Sequence, residues 1–258
     1  MLLCNADEDP ERESAYLDLL VDRWVDGVVI AASSLGERHR DWLADAQLPI
    51  VLVNSADPEV GLSTIASDNY AGGSIAARHL ADLGHERFGL ITAPPRNTDG
   101  PARLAGARDA LKAAGIEGDR VLVATDEAGV AGGERAAADI LGRDRRVTAL
   151  VAYNDLMAIG AMRAIRAAGL RIPSDVSVVG FDNVDLSAYV DPPLTTVAQA
   201  TSEMGRWAVT QLASELADRA TARVAGAAEP LLAVAREATH MVLPVWLEIR
   251  GSTGPALR

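Results

Sequence analysis

Cysteine is almost missing from this chain: Cys4 is the only one in 258 residues. One thiol excludes an internal disulfide framework and a cysteine-based zinc site, and it fits a reducing, cytoplasmic setting. Aromatic residues are also scarce, at 4%, so the core has to be built from Ala, Val, Leu and Ile. No apolar run approaches the ~18 residues that a membrane-spanning helix needs. The opening MLLCNADEDPERE turns acidic after four apolar residues, which does not read as a signal peptide. Basic residues are outnumbered, 24 against 36, for a net charge of −12. A body this acidic repels phosphate backbones unless a separate basic patch exists.

Several catalytic and nucleotide signatures are missing as well. There is no G-x-S-x-G elbow, no phosphate-binding G-x-x-x-x-G-K-[ST] and no G-x-G-x-x-G. His39, His79, His85 and His240 lack metal-ligand spacing and read as structural or surface residues. The pair Gly72–Gly73 has neither a Lys nor a third Gly beside it, so helix packing suits it better than phosphate binding. No cofactor or metal is implied.

What the chain does have is rhythm. Short apolar runs occur at 26–33 (DGVVIAAS), 49–55 (PIVLVNS), 87–94 (RFGLITAP), 119–125 (DRVLVAT), 147–154 (VTALVAYN) and 175–183 (DVSVVGFDN). Runs without polar alternation read as strands buried on both faces of a parallel sheet. Helical spacing fills the gaps at 11–25, 70–83, 102–114, 130–141 and 155–168, the last four closing on Gly84, Gly115, Gly142 and Gly169. A further Ala-rich helix is expected in 213–238, with an exposed connector near 225–230, one more strand in 241–253 and a frayed tail at 254–258. Strands and helices in alternation define an open α/β sheet, whose ligands bind beyond the carboxyl ends of the strands.

Side chains at those ends are the candidates. In VAYNDLMAIG, Asn154 and Asp155 open a helix; either one simply caps it, or Asp155 serves as the cap while Asn154 faces a cleft. In VVGFDN, Asp182 follows a buried strand directly; it is either a turn former or a carboxylate placed to accept polyol hydroxyls. PPLTTVAQ is either a stiff linker or a crossing between two lobes that leaves Gln199 at a cleft edge. Arg103 sits at the start of a helix, where the dipole disfavours it; this mild misfit suits a surface residue or one that grips a ligand.

These phrases, in order, resemble the effector-binding core of the lactose-repressor/galactose-repressor (LacI/GalR) family. They are VDGVVIAAS, SDNYAGGSIAARHLADLGHERFGLI, ARLAGARDAL, NDLMAIGAMRAIRAAGLRIPSDVSVVGFDN, YVDPPLTTVAQ and LPVWLEIRGST. Each is weak alone; the ordered set spans almost the whole chain. The resemblance implies a two-lobed, periplasmic-binding-protein-like (type I) α/β fold, each lobe a doubly wound parallel sheet. One lobe would be 1–94 plus 197–224, the other 97–193 plus 238–253, with crossings near Pro94–Pro95, near Leu194–Val197 and in 225–238. It also implies a sugar-like effector held by Asn54, Arg103, Asn154, Asp182 and Gln199, with Phe181 flanking the ligand or packing behind Asp182.

A homodimer is the implied assembly, with neither catalysis nor membrane association. Lobe closure would modulate operator DNA through a helix-turn-helix that this sequence does not contain. MLLCN resembles the second strand of the family's first lobe, so that lobe's first strand would be missing, its backbone partner lost and the lobe weakened. Two alternatives share the fold or its class. One is a periplasmic sugar-binding protein of a transporter, which the missing signal peptide disfavours. The other is an α/β enzyme, for which no nucleophile–base pair is found.

Overall fold

The computed structural model describes residues 1–6, 9–22, 25–31, 48–54, 61–94, 99–224 and 238–256. The chain divides into two compact units, one of residues 1–66, 96–98 and 201–243, the other of residues 67–95, 99–200 and 244–258. Each carries an α/β sheet.

The first unit begins with residues 1–6 outside any regular element, and Met1, Leu2 and Leu3 are exposed. The strand expected in MLLCN is therefore not formed, because no strand of the described sheet lies beside it to complete a ladder. Helix α1 (Pro10–Asp22) precedes β1 (Val28–Ala31), β2 (Ile50–Val53) and β3 (Ser63–Ser67). Strands β1, β2 and β3 pair in parallel, in register Val28–Ile50 and Val51–Ser63. Helix α6 (Thr201–Val224) belongs to the same unit, and Glu215 on it accepts the Ser63 hydroxyl at 2.9 Å. A small core of Leu17, Val28, Ile30, Ile50 and Leu52 backs this sheet.

The second unit holds helices α2 (Asn69–Asp82), α3 (Asp99–Ala113), α4 (Val130–Arg143) and α5 (Asp155–Ala167). Its strands are β4 (Phe88–Thr92), β5 (Val121–Thr125), β6 (Ala149–Ala152), β7 (Ser177–Asp182) and β8 (Thr195–Ala198). Two further strands follow, β9 (His240–Leu243) in the first sheet and β10 (Trp246–Glu248) in the second. The six-stranded order is β10-β8-β7-β6-β4-β5, parallel except for β10. Alternation along β6 shows how both faces are covered. Ala149 and Val151 join the cluster of α2 and α3, whereas Leu150 and Ala152 join that of α4 and α5.

The elements depart from the sequence reading in six places. Strand β5 is an edge strand and only partly buried, and β1 alternates buried with exposed, so neither is covered on both faces. Strand β3 was not anticipated at all, since its Ser-Thr-Ile-Ala-Ser composition looks polar; it is nevertheless fully buried. The TTVA stretch is an interior strand of the second sheet, and its Thr195 and Thr196 have no exposure.

Residues 241–253 give two strands instead of one, divided at Pro244, which cannot donate to a ladder. Gly142 does not stop α4, which runs on to Arg143. By contrast Gly84, Gly115 and Gly169 take positive φ and close their helices, with His85, Ile116 and Leu170 reaching back to Leu80, Leu111 and Ile165. The connector expected near 225–230 and the residues Arg23 and Trp24 lie outside the described residues. So do Pro95 and most of the 225–238 stretch.

Candidate functional site

The carboxyl ends of β4, β6, β7 and β8 and the first turns of α2 and α3 converge on one buried cation. Arg103, only 8% exposed, is the fifth residue of α3. Its Nε donates to Asn69 Oδ1 at 2.8 Å, and one terminal nitrogen donates to the Tyr153 carbonyl at 2.7 Å. The guanidinium carbon lies 3.6 Å from the centre of the Phe181 ring and 4.8 Å from that of Tyr153. Stacking on aromatic faces leaves the planar fork in a fixed orientation. Asp182 Oδ1 sits 3.6 Å from the same terminal nitrogen.

A polar chain extends from both sides of this ion pair. Gln199 donates from Nε2 to Asp182 Oδ1 at 2.7 Å and accepts the Ser67 hydroxyl at 2.7 Å. On the other side Asn69 Nδ2 donates to Asp99 Oδ1 at 3.1 Å and to the Ser67 carbonyl at 3.2 Å. Burial pushes the Asp182 carboxyl up to about 6, with Arg103 and Gln199 pulling it back down and Asp99 adding to the rise. Asp99 is likewise raised by burial and opposed by Arg103. Two carboxylates around one guanidinium leave the cluster with no surplus of positive charge. The space beneath Arg103, lined by Gly73, Ala76, Ala107, Val151 and Phe181, measures about 20 Å³. That is room for about one water, so a larger ligand has to meet the hub from outside.

Local sequence explains the placement. Asp68 caps α2 by accepting the Ala71 N–H at 2.8 Å, which points the first turn, and Asn69 with it, at the end of the sheet. Gly72 leaves room for the Phe181 ring, and Gly73 lets the α2 backbone meet the Arg103 carbonyl, where any Cβ would overlap. The Gly72–Gly73 pair is thus a packing device. Among the described residues no group of three His, Cys, Asp or Glu side chains could hold a metal ion.

Of the six side chains singled out from sequence, Arg103, Phe181, Asp182 and Gln199 come together here. Phe181 is 2% exposed and both underlies the guanidinium and adjoins Asp182. Asn154 follows Tyr153 at the end of β6, but its Oδ1 accepts the Met157 N–H at 2.8 Å and caps α5. Of the two candidate caps, Asn154 takes the role. Asp155, with no exposure, instead points behind the sheet end, where it accepts from Thr196 Oγ1 at 2.5 Å and Val184 N at 2.9 Å. Asn54 stands in the first unit at the end of β2, with φ of 58° and its N–H donated to the Ile65 carbonyl.

Ser67, Asn69, Asp99 and Tyr153 were missed. Ser67 and Asn69 flank the capping Asp68 in SDNY, a phrase quoted for its order and not for its side chains. Asp99 sits four residues before Arg103, the spacing of a same-face helical pair, which is the signal that could have found it.

An open parallel sheet with a polar cluster at its carboxyl end defines a ligand-binding α/β protein. The periplasmic binding protein-like domain model matches residues 77–252. The regulator DegA of Bacillus subtilis (strain 168), an HTH-type transcriptional regulator, is 34% identical over 260 residues, covering 99% of this chain and 72% of its own. A solved complex of the transcriptional regulator CelR with cellobiose superposes with a TM-score of 0.80 at 32% identity, over 95% of this chain and 71% of that one. A LacI family transcriptional regulator from Enterococcus faecalis V583 with bound ribose gives 0.80 at 32% identity, over 100% and 88%. The chain belongs to the LacI family of transcriptional regulators and carries that family's effector-binding core. These relatives are regulators and not transporter components or enzymes. The chain spans 60–66% of several other curated relatives, less than its share of DegA. No helix among the described residues is long and apolar enough to cross a membrane.

Proposed function

We propose that this chain senses a small, uncharged polyhydroxy metabolite, a sugar or a close derivative, and that the Arg103–Asp182 hub is its main contact. The observation that carries this is the fixed guanidinium. It is stacked on Phe181 and tied to Asn69 and Tyr153, yet it lies beside a carboxylate and an amide that can rearrange around ligand hydroxyls. Arg and Asn donate, Asp accepts, and Gln does both, which suits vicinal hydroxyls. Two carboxylates beside one cation disfavour a phosphorylated ligand. The cellobiose and ribose of the two related complexes point to the same class. Asn54 and Asn154 complete the set of contacts, within lobes that follow the two units, residues 67–94 belonging to the second and not, as expected, to the first.

The mode of action follows from the family. The core forms a homodimer without catalytic activity, and ligand shifts its geometry only by binding one conformation better than another. An N-terminal helix-turn-helix outside this chain converts that shift into operator affinity. The test is a thermal-shift screen against neutral sugars, sugar phosphates and nucleosides. A neutral sugar should raise the melting temperature by mass action, and the rise should vanish in Arg103→Ala and Asp182→Ala. A response to sugar phosphates alone, retained in Arg103→Ala, would overturn the proposal.

A further inference from the structure

We infer that Asp155 is the positioning residue for Asp182, holding through Val184 and Thr196 the turn that presents the ligand-accepting carboxylate. The inference rests on the reading of Asp182 as a ligand contact, but its geometry stands independently. Asp182 and Asn183 have φ of 108° and 58°. Two consecutive side-chain-bearing residues at positive φ are strained and persist only where their surroundings over-determine them.

Those surroundings are explicit. The N–H of Asn183 donates to Thr196 Oγ1 at 3.3 Å, and the N–H of Val184 donates to Asp155 Oδ2 at 2.9 Å. Thr196 Oγ1 in turn donates to Asp155 Oδ1 at 2.5 Å, so one carboxylate anchors both N–H groups that follow Asp182. From the far side Arg250 donates to Asn183 Oδ1 at 2.6 Å, to Ser187 Oγ at 3.0 Å and to the Leu194 carbonyl at 2.8 Å.

Asp155 and Thr196 have no exposure, so neither can touch a ligand. Strand β7 carries Gly180 where this carboxylate crosses it, and any Cβ there would overlap Asp155 Oδ1. Burial lifts the Asp155 carboxyl to about 6, with Asp182 adding to the rise and Arg250 opposing it. An apolar residue at 155 would avoid that desolvation but would leave the Val184 N–H and the Thr196 O–H without an acceptor inside the protein. What the carboxylate secures is the conformation of 182–184. Helix capping cannot be its role, because Asn154 performs it.

The experiment uses the full chain without ligand. Three variants are compared with wild type by NMR: Asp155→Asn, Thr196→Val and Ser252→Ala. Ser252 is equally buried; it lies outside the strands but bonds to Val178 and Thr195 of the same sheet, and neither bond reaches residues 182–184. Asp155→Asn keeps a single acceptor oxygen, for which the Val184 N–H and the Thr196 O–H then compete. It should speed Val184 amide exchange about tenfold or more. It should also move the Gln199 side-chain amide resonances toward free values and shift the titration of the Asp182 carboxyl carbon. Thr196→Val should do the same to a smaller degree, and it serves alone if Asp155→Asn does not fold. Ser252→Ala should lower the melting temperature without moving the Gln199 or Asp182 signals.

The inference is overturned if both turn variants leave Gln199 and Asp182 as Ser252→Ala leaves them. If a neutral sugar binds the wild type, Asp155→Asn should weaken it about tenfold or more, and unchanged affinity would count against the inference. If no sugar binds, the effector proposal fails while the NMR comparison still decides the role of Asp155.

Discussion

Two helix pairs cover the two faces of the six-stranded sheet, and both cross in the same way. In α2 and α3, Gly73 meets the Arg103 carbonyl and Gly106 meets the Tyr70 carbonyl. In α4 and α5, Gly133 meets the Met157 carbonyl and Gly160 meets the Val130 carbonyl. In all four places a Cβ would overlap backbone. The pairs differ at their first turns. Those of α2 and α3 place Asn69, Asp99 and Arg103 together, whereas α4 opens on Val-Ala-Gly-Gly. A reciprocal glycine contact is therefore a packing solution used twice, and the signal of a site is the buried polar group beside it.

The sharpest way to break this comparison is to insert one methyl on each side. Gly73→Ala and Gly133→Ala should each destabilise by about 3 kcal/mol, the upper end of overpacking costs, because the obstructing atoms are backbone. Calorimetry should show similar losses. Only Gly73→Ala should displace Arg103, read as loss of the slowly exchanging Arg103 Nε proton. Equal damage to that proton in Gly133→Ala would mean that the two faces are not separable.

A second measurement uses the raised carboxyl of Asp182. Its value is near 4 in an unfolded chain and about 6 here, so the folded state binds the proton more tightly. The resulting stability is full below pH ~4 and is lost as pH rises through about 6. Asp182→Asn has no such loss. Its melting temperature relative to wild type should therefore climb between pH 4 and pH 7. A difference that stays constant over that range would place the carboxylate in a water-like environment.

The smallest effect compares two caps that make the same i+3 hydrogen bond. Asp68→Ala and Asn154→Ala each remove one side-chain acceptor at 2.8 Å and should each cost about 1 kcal/mol. If Asn154 also meets the effector, only its variant should lose the ligand-induced rise in melting temperature.

The fold was legible where composition and burial agree. The interior strands β4, β6 and β7 are apolar runs and appear where the sequence puts them. Strand β3 was hidden because its hydroxyls are buried with partners far along the chain. Ser63 bonds to Glu215 and Ser67 to Gln199, and no local pattern encodes such pairs. The cluster was legible through Arg103, out of place at its helix start, and through Asp182 and Gln199, which stand at strand ends. Asn69 and Asp99 were not, since a polar residue in a helix's first turn is ordinary. The separate roles of Asn154 and Asp155 show the remaining limit. Adjacent residues share a propensity to cap, and only the position of Thr196 and Val184 decides which side chain turns inward.

The threading of β10 bears on how the chain acquires its shape. This strand pairs with β8, yet residues 201–243, which belong to the other unit, lie between them in sequence. During synthesis β8 leaves the ribosome long before its edge partner does. Its outer backbone groups must wait for several dozen further residues, a sequence separation that slows folding. Neither unit is a contiguous stretch of polypeptide, so a simple truncation would release neither of them intact. The second sheet should accordingly gain its full edge pairing only once Trp246–Glu248 has emerged.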